Sequence, residues 1–220
     1  FQDTNLIIKD SNIFFKSSED EVLFINKITN LKYYYEQKEQ KNLFYSENEI
    51  FNIPYSMKTF FNNDESKIFS KINLNLINLK IENELSLTSE KKIGKTQFIF
   101  NKLKRNVIYQ VEKNSFNFHI FDKIDEPSLT YKGEFNLKPF YASLVGDLDE
   151  LNLNSLFGSN AIIAQFLKTK IINNKNIDFN LKISADKIYK NLNFKNIKLK
   201  SQIKDGLIDA VAIDQLECFD

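Results

Sequence analysis

Apolar and polar residues alternate along most of this chain, and the alternation is strictest near residue 180. Residues two apart point to the same side of a β-strand, so the pattern predicts strands with one apolar and one polar side. In the clearest strand the apolar side carries Ile177, Phe179, Leu181 and Ile183. Earlier strands present Ile72, Leu74 and Leu76, then Phe98 and Phe100, then Phe116, Phe118 and Ile120.

One stretch has a different period. After Gly158 the apolar residues recur at the three- and four-residue spacing of a helix, which predicts a short helix with an apolar stripe. We interpret this helix as a lid over the apolar side of a sheet. Its stripe consists of Ile162, Ile163, Phe166 and Leu167.

Local breaks in the alternation predict where strands end. Apolar residues change from even to odd positions after Leu76, so we expect a turn or bulge near Ile77 and Asn78. Pro54 lacks an amide proton, which predicts an edge strand, a bulge or a loop over residues 51–61 rather than a central strand. The five glycines are too far apart for a phosphate-binding loop, and we assign them to turns.

The predicted elements are mostly strands, with one helix to cover them. The sequence therefore predicts a mainly β fold in which a long, curled antiparallel sheet forms an open groove, with one short amphipathic helix near the C-terminal end. Residues 1–220 are assigned to a single domain. Its parts are a strand meander over 1–145, a strand–helix–strand closing unit over 146–208 and a tail over 209–220 that alternates poorly. A closed sandwich or barrel fits the same alternation.

Composition narrows the function classes. The 30 Lys and Arg residues nearly balance the 29 Asp and Glu residues and are scattered, so no basic stripe for nucleic acid is present. No apolar run approaches the roughly 20 residues of a membrane-spanning helix. Because the chain begins at Phe1 rather than Met, we expect it to be a fragment of a longer protein with an anchor upstream.

Candidate catalytic chemistry is sparse in this sequence. His119 is the only histidine, and the alternation places it on the polar side of its strand. The one cysteine, Cys218, has no metal-ligand spacing around it. Carboxylates at Asp147, Asp149 and Glu150 are better explained as a solvated turn than as a calcium loop. The sequence thus predicts a non-enzymatic protein with no catalytic residues, no metal and no cofactor.

A resemblance extends over nearly the whole chain. The succession GDLDELNLNSLFG, AIIAQFLKT, IDFNLKISA and KNLNFKNIKLKSQIKDGLID, between residues 146 and 209, resembles the C-terminal part of the AsmA-like family. These AsmA/TamB-type proteins of Gram-negative envelopes are related to the repeating β-groove lipid-transfer superfamily. Upstream, NLIIKDSNIFF followed by VLFINKITNLKYYY is similar to a hairpin of that family.

The resemblance implies a periplasmic protein that is anchored to the inner membrane and takes part in outer-membrane biogenesis. Its groove would bind or conduct phospholipid, or another lipid, between the two membranes. Envelope proteins are possible partners, and nucleic acid is not expected. The alternative is a closed β scaffold that binds proteins at a sheet edge without lipid cargo. The predicted groove residues are those of the four strands above, with the helix as their lid.

Overall fold

The computed structural model describes most of the chain. The described residues are 6–16, 20–37, 41–62, 64–87, 92–100, 103–121, 130–137, 140–154, 175–176 and 178–218. They divide into two compact units, residues 1–112 and residues 113–220. Both units are built from strands, so the predicted mainly β class is confirmed. The assignment of both units to one domain of a longer protein stays a prediction.

The first unit is an eight-stranded antiparallel meander in which each strand pairs with the next. No pairing of described residues joins its first strand to its eighth, so the sheet of this unit is open. Its strands are β1 (Leu6–Lys16), β2 (Val22–Glu36), β3 (Lys41–Ile50), β4 (Ile53–Asn62), β5 (Lys67–Leu74), β6 (Leu79–Ser86), β7 (Lys92–Phe100) and β8 (Leu103–Val111).

The predicted change of face after Leu76 is confirmed as a turn. A 3-10 turn spans Asn75–Ile77, and Asn78 then adopts a left-handed conformation with φ of 52°. Its amide donates to the carbonyl of Asn75 at 3.2 Å. A tighter reversal joins β3 to β4, where Phe51 and Asn52 both have positive φ. Two consecutive left-handed residues make the hairpin turn that matches strand twist.

The prediction for Pro54 is wrong, because β4 is a central strand with β3 on one side and β5 on the other. Pro54 is tolerated because it lies at the start of β4, opposite Glu49 of β3. On the other side, pairing with β5 begins only at Ser56. At residue 54, β4 therefore pairs with β3 alone, so the missing amide donor costs no hydrogen bond to β5.

The second unit contains two groups of antiparallel strands. In the first group β10 pairs with β9 and with β11, and in the second group β13 pairs with β12 and with β14. Between these two groups, β11 and β12 run parallel, so the prediction of a wholly antiparallel sheet is wrong at this pair. No pairing of described residues joins the first strand of this unit to the last. Its strands are β9 (Ser115–Phe121), β10 (Thr130–Leu137), β11 (Phe140–Leu151), β12 (Asp178–Ile188), β13 (Asn191–Lys204) and β14 (Leu207–Cys218).

Parallel neighbours need a crossover of a dozen or more residues, and residues 152–177 provide one. Among the described residues of this crossover, Leu153 and Asn154 are α-helical. The predicted lid helix lies within residues 155–174, outside the described residues, so Ile162, Ile163, Phe166 and Leu167 are not placed. The poorly alternating tail runs as β14, and its pairing with β13 contains three register irregularities.

Three glycines lie inside strands rather than in turns, which corrects their assignment. A Cβ atom at Gly94, Gly133 or Gly146 would overlap an aromatic ring from the opposite residue of the neighbouring strand. Those rings belong to Tyr109, Phe118 and Tyr131, respectively. Glycine is required at these positions because the ring occupies the space of the missing side chain. Gly206 lies in a turn with φ of 72°, as predicted.

Candidate functional site

The first unit has one apolar and one charged face, since directly opposed residues of neighbouring strands share a face. Ile72 of β5 lies opposite Ile81 of β6, which lies opposite Phe98 of β7. The next row toward the β5–β6 turn is also apolar and consists of Leu74, Leu79 and Phe100. We call this side, carried by β4 to β8, the first apolar face. At β8 the row of Ile72 ends in Arg105, which lies opposite Phe98.

Four predicted groove residues lie on the first apolar face, and one does not. Ile72, Leu74, Phe98 and Phe100 are brought together by the strand register. Leu76 is displaced because the 3-10 turn interrupts the strand, and its side chain is 57% exposed in the turn. Leu79 and Ile81 alternate as clearly in the sequence, and they complete the two rows although they were not among the predicted groove residues.

The first apolar face is only partly covered. Ile72, Ile81 and Phe98 are half-buried, whereas Leu79 and Val107 on the same face are buried. The elements of this unit are its eight strands and one 3-10 turn, and successive strands pair edge to edge.

A row of polar residues crosses the first apolar face. Thr59, Ser70, Asn83 and Thr96 lie directly opposite one another on β4, β5, β6 and β7. Thr59 Oγ1 lies 3.0 Å from Ser70 Oγ, and Thr96 Oγ1 donates to Asn83 Oδ1 at 2.6 Å. The same Asn83 oxygen accepts a second hydrogen bond, of 2.8 Å, from the Tyr109 hydroxyl. We call these four residues the polar row.

A second polar group lies on the same side of the sheet near β2, β3 and β4. Asn48 Nδ2 donates to Ser46 Oγ at 2.7 Å, and the Tyr55 hydroxyl donates to Asn26 Oδ1 at 3.0 Å. Asn26, Ser46 and Asn48 are buried, and their hydrogen bonds offset the cost of desolvation. Burial raises the pKa of the Tyr55 phenol, and the hydrogen bond to Asn26 partly opposes that rise.

The opposite face of the first unit carries a charged ladder on β5 and β6. It also carries the stacked rings of Phe60 and Phe69 and the buried Leu43. Lys67 pairs with Glu84 at 2.9 Å, and Lys80 pairs with Glu82 at 2.9 Å. The hydrogen bond from Lys80 is the main cause that lowers the pKa of Glu82. Such exposed ion pairs contribute little to stability, but they identify this side as the one that faces solvent.

The second unit also has one apolar face, and the register assembles it from every strand. Rows of directly opposed residues on β9 to β13 contain Phe116, Phe135, Ala142, Phe179 and Ile203, then Phe118, Gly133, Leu144 and Leu181, then Ile120, Tyr131, Gly146, Ile183 and Leu199. Six predicted groove residues are therefore brought onto one face, which we call the second apolar face. Ile177 lies outside the described residues.

One end of the second apolar face is a true core. Leu148, Leu151, Ile183, Ala185 and Ile197 pack together and are buried. Ile183 is 2% exposed and thus belongs to this core. Its predicted groove partners Phe179 and Leu181 are half-buried. The second face is therefore partly available only on the side away from this core.

Polar chemistry is limited in the described residues. His119 lies on the polar side of β9, opposite Lys132, and is exposed, as the alternation predicts. Within the described ranges, His, Cys, Asp and Glu form no group of three that could hold a metal ion. No described helix is both long and apolar enough to cross a membrane.

Comparisons of the chain with protein-family models, with curated proteins and with solved structures found no match. The resemblance to the AsmA-like family therefore stays a prediction, and the function must be argued from the apolar faces themselves.

Proposed function

We propose that the protein binds or conducts lipid, with acyl chains lying on its apolar sheet faces. The observation that carries the proposal is the row of Ile72, Ile81 and Phe98 on the first apolar face, where three directly opposed apolar side chains are only half-buried. A face of this kind exposes apolar area to water unless an apolar ligand covers it. The charged ladder on the opposite side supports the same orientation, with one face for ligand and the other for solvent.

The energetic requirement for such a ligand can be met by this face. Each CH₂ group contributes about 0.8 kcal/mol on transfer from water, so a chain of roughly fifteen carbons needs about 12 kcal/mol of apolar surroundings to leave a bilayer without penalty. Neighbouring strands are about 4.8 Å apart, so the five strands β4 to β8 extend over about 19 Å. That length is close to the length of one extended acyl chain.

The cellular setting of the proposal rests on the resemblance of the sequence to AsmA-like proteins. In that setting the protein is periplasmic and anchored to the inner membrane by a segment outside this chain. It moves phospholipid toward the outer membrane or supports outer-membrane assembly, without enzymatic chemistry.

A charge placed on the first apolar face tests the proposal. Ile81→Asp puts a carboxylate between Ile72 and Phe98 and should reduce uptake of a fluorescent phospholipid roughly tenfold or more, since an unpaired charge beside an acyl chain costs several kcal/mol. The matched control is Ile99→Asp, which lies on the opposite face between Lys80 and Lys104 and should leave uptake unchanged.

Circular dichroism establishes that both variants are folded before uptake is compared. Native mass spectrometry of the wild-type protein should also show co-purifying phospholipid. A folded wild-type protein that carries no lipid and takes up none would contradict the proposal, and so would equal uptake by both variants.

A second candidate function is strand addition at β14. Among the described strands, β14 is the last in its sheet and pairs only with β13. Its exposed apolar residues include Leu207 at 71% and Val211 at 73%. An apolar edge of this kind is suited to a strand from a partner protein. This alternative needs no closed scaffold.

The single thiol allows a direct test of strand addition, because Cys218 is exposed on β14. A photo-crosslinker attached to Cys218 should capture one defined envelope protein. Ala212→Glu adds a charge to β14 on the side away from the second apolar face, opposite Lys200, and should abolish that product. Crosslinking that is unspecific, or that is insensitive to Ala212→Glu, would exclude this function.

A further inference from the structure

The polar row lies where an apolar ligand face would be expected to be uniformly apolar. Thr59, Ser70, Asn83 and Thr96 cross four consecutive strands in register, over about 14 Å. The row is bordered on both sides by apolar residues of the same strands, for example Ile68 and Ile72 on either side of Ser70.

The polar row has hydrogen-bonding capacity beyond its own contacts. The hydroxyls of Thr59 and Ser70 form one hydrogen bond with each other, which uses one of their two protons. Asn83 accepts two hydrogen bonds at Oδ1, which orients its Nδ2 amide as a donor. Among the described residues, no acceptor binds Asn83 Nδ2 or the second hydroxyl proton. The row therefore offers donors, and it carries no formal charge.

Fixing the strand register does not by itself explain why these residues lie on the apolar face. Cross-strand hydrogen bonds between polar side chains do help to fix a register. The solvent face of the same sheet performs that task with Gln97 Nε2, which donates to Asn106 Oδ1 at 3.1 Å. Polar groups on an apolar face carry a desolvation cost when a ligand covers them, unless the ligand supplies hydrogen-bond acceptors.

We infer that the polar row binds the ester carbonyl groups of a glycerolipid while its acyl chains lie on the apolar rows beside it. This inference rests on the proposed lipid-binding function and adds the chemical class of the ligand. Ester carbonyls are uncharged acceptors, which match uncharged donors such as Asn83 Nδ2 and the Thr59–Ser70 hydroxyls. The polar row itself holds no cation for the carboxylate of a free fatty acid, and Arg105 on the same face lies in the neighbouring row, opposite Phe98.

The test compares a diacyl phosphatidylcholine with its dialkyl ether analogue, which has the same headgroup and chain length but no carbonyl acceptors. Both lipids are competed against a fluorescent phospholipid probe on the wild-type protein. The wild type should bind the ester lipid about two- to tenfold more tightly, the range expected for one or two neutral hydrogen bonds. Asn83→Leu removes one set of donors and should reduce that preference.

Two further variants keep the test decisive. Thr59→Val combined with Ser70→Ala removes the other donors with a small change of shape, and it should also reduce the ester preference if Asn83→Leu does not fold. Asn106→Leu makes the same substitution on the solvent face and should retain the full preference.

The possible outcomes separate the two proposals. Equal binding of ester and ether lipid by the wild type, or a preference that survives in the folded row variants, would overturn the inference and leave lipid binding intact. Failure of the wild type to bind either lipid would remove the proposed function and the inference together.

Discussion

Tyr55 and Tyr109 place their phenol groups on the apolar side of the first sheet, and burial raises the pKa of both above the ordinary value of 10.0. In each case a hydrogen bond to an asparagine, Asn26 or Asn83, opposes part of the rise. Folding therefore favours the neutral phenol. Because the folded pKa exceeds the unfolded one, this contribution to stability is complete below about pH 10 and is lost as pH rises through the folded pKa.

This linkage gives a testable pH dependence. The free energy of unfolding of the wild type, measured by urea denaturation, should fall as the pH rises from about 10 through the raised pKa of the folded-state phenols. The double variant Tyr55→Phe/Tyr109→Phe should show a shallower fall over the same interval, since neither phenol is left to ionise. An identical slope in wild type and variant would show that these two phenols do not couple to folding.

Individual side chains could be assigned to a face from the sequence only where alternation was regular. Ile72 and Phe98 were placed correctly, because a period of two is a local property of a strand. Gly133 was assigned to a turn, since the Phe118 ring that excludes a side chain there comes from another strand. The polar row was missed for a similar reason, as its members join only through the register.

At the scale of elements, strand identity was more predictable than strand partners. The parallel pairing of β11 and β12 depends on residues far apart in the chain, and neither strand has a local signal for it. Pro54 is a second example. The sequence shows that Pro54 lacks an amide donor, but the effect on the sheet depends on where β5 begins to pair with β4.

The position of proline within β4 leads to a prediction about this element. Pro54→Ala should change the free energy of unfolding by less than about 1 kcal/mol, because β5 does not pair opposite residue 54. Lys58→Pro should cost about 3 kcal/mol or more, since Lys58 is paired with Tyr45 on one side and Lys71 on the other.

Urea unfolding at neutral pH measures both values, and Lys58→Ala controls for loss of the lysine side chain. A large loss of stability in Pro54→Ala, or none in Lys58→Pro, would contradict the central position assigned to β4.

At the scale of the whole molecule, the two apolar sheet faces are the features that bear on function. Each unit is an open sheet with an apolar side, and the predicted groove residues of each described strand, apart from Leu76, lie on that side. The sequence could not show that Ile183 is buried in a core while Ile72 is half-buried. That difference depends on which residues pack across the face rather than on alternation.

The chain contains no tryptophan, so a single introduced tryptophan can report where lipid lies. Ile72→Trp reports on the first apolar face, Phe179→Trp on the second, and Ile99→Trp on the solvent face of the first unit. Phospholipid with brominated acyl chains should quench the first two tryptophans and leave the third close to its unquenched intensity, because bromine quenches only at contact range. Quenching of the Ile72→Trp variant alone would show that lipid binds only to the first unit. Equal quenching of all three variants would indicate unspecific adsorption rather than binding to the apolar faces.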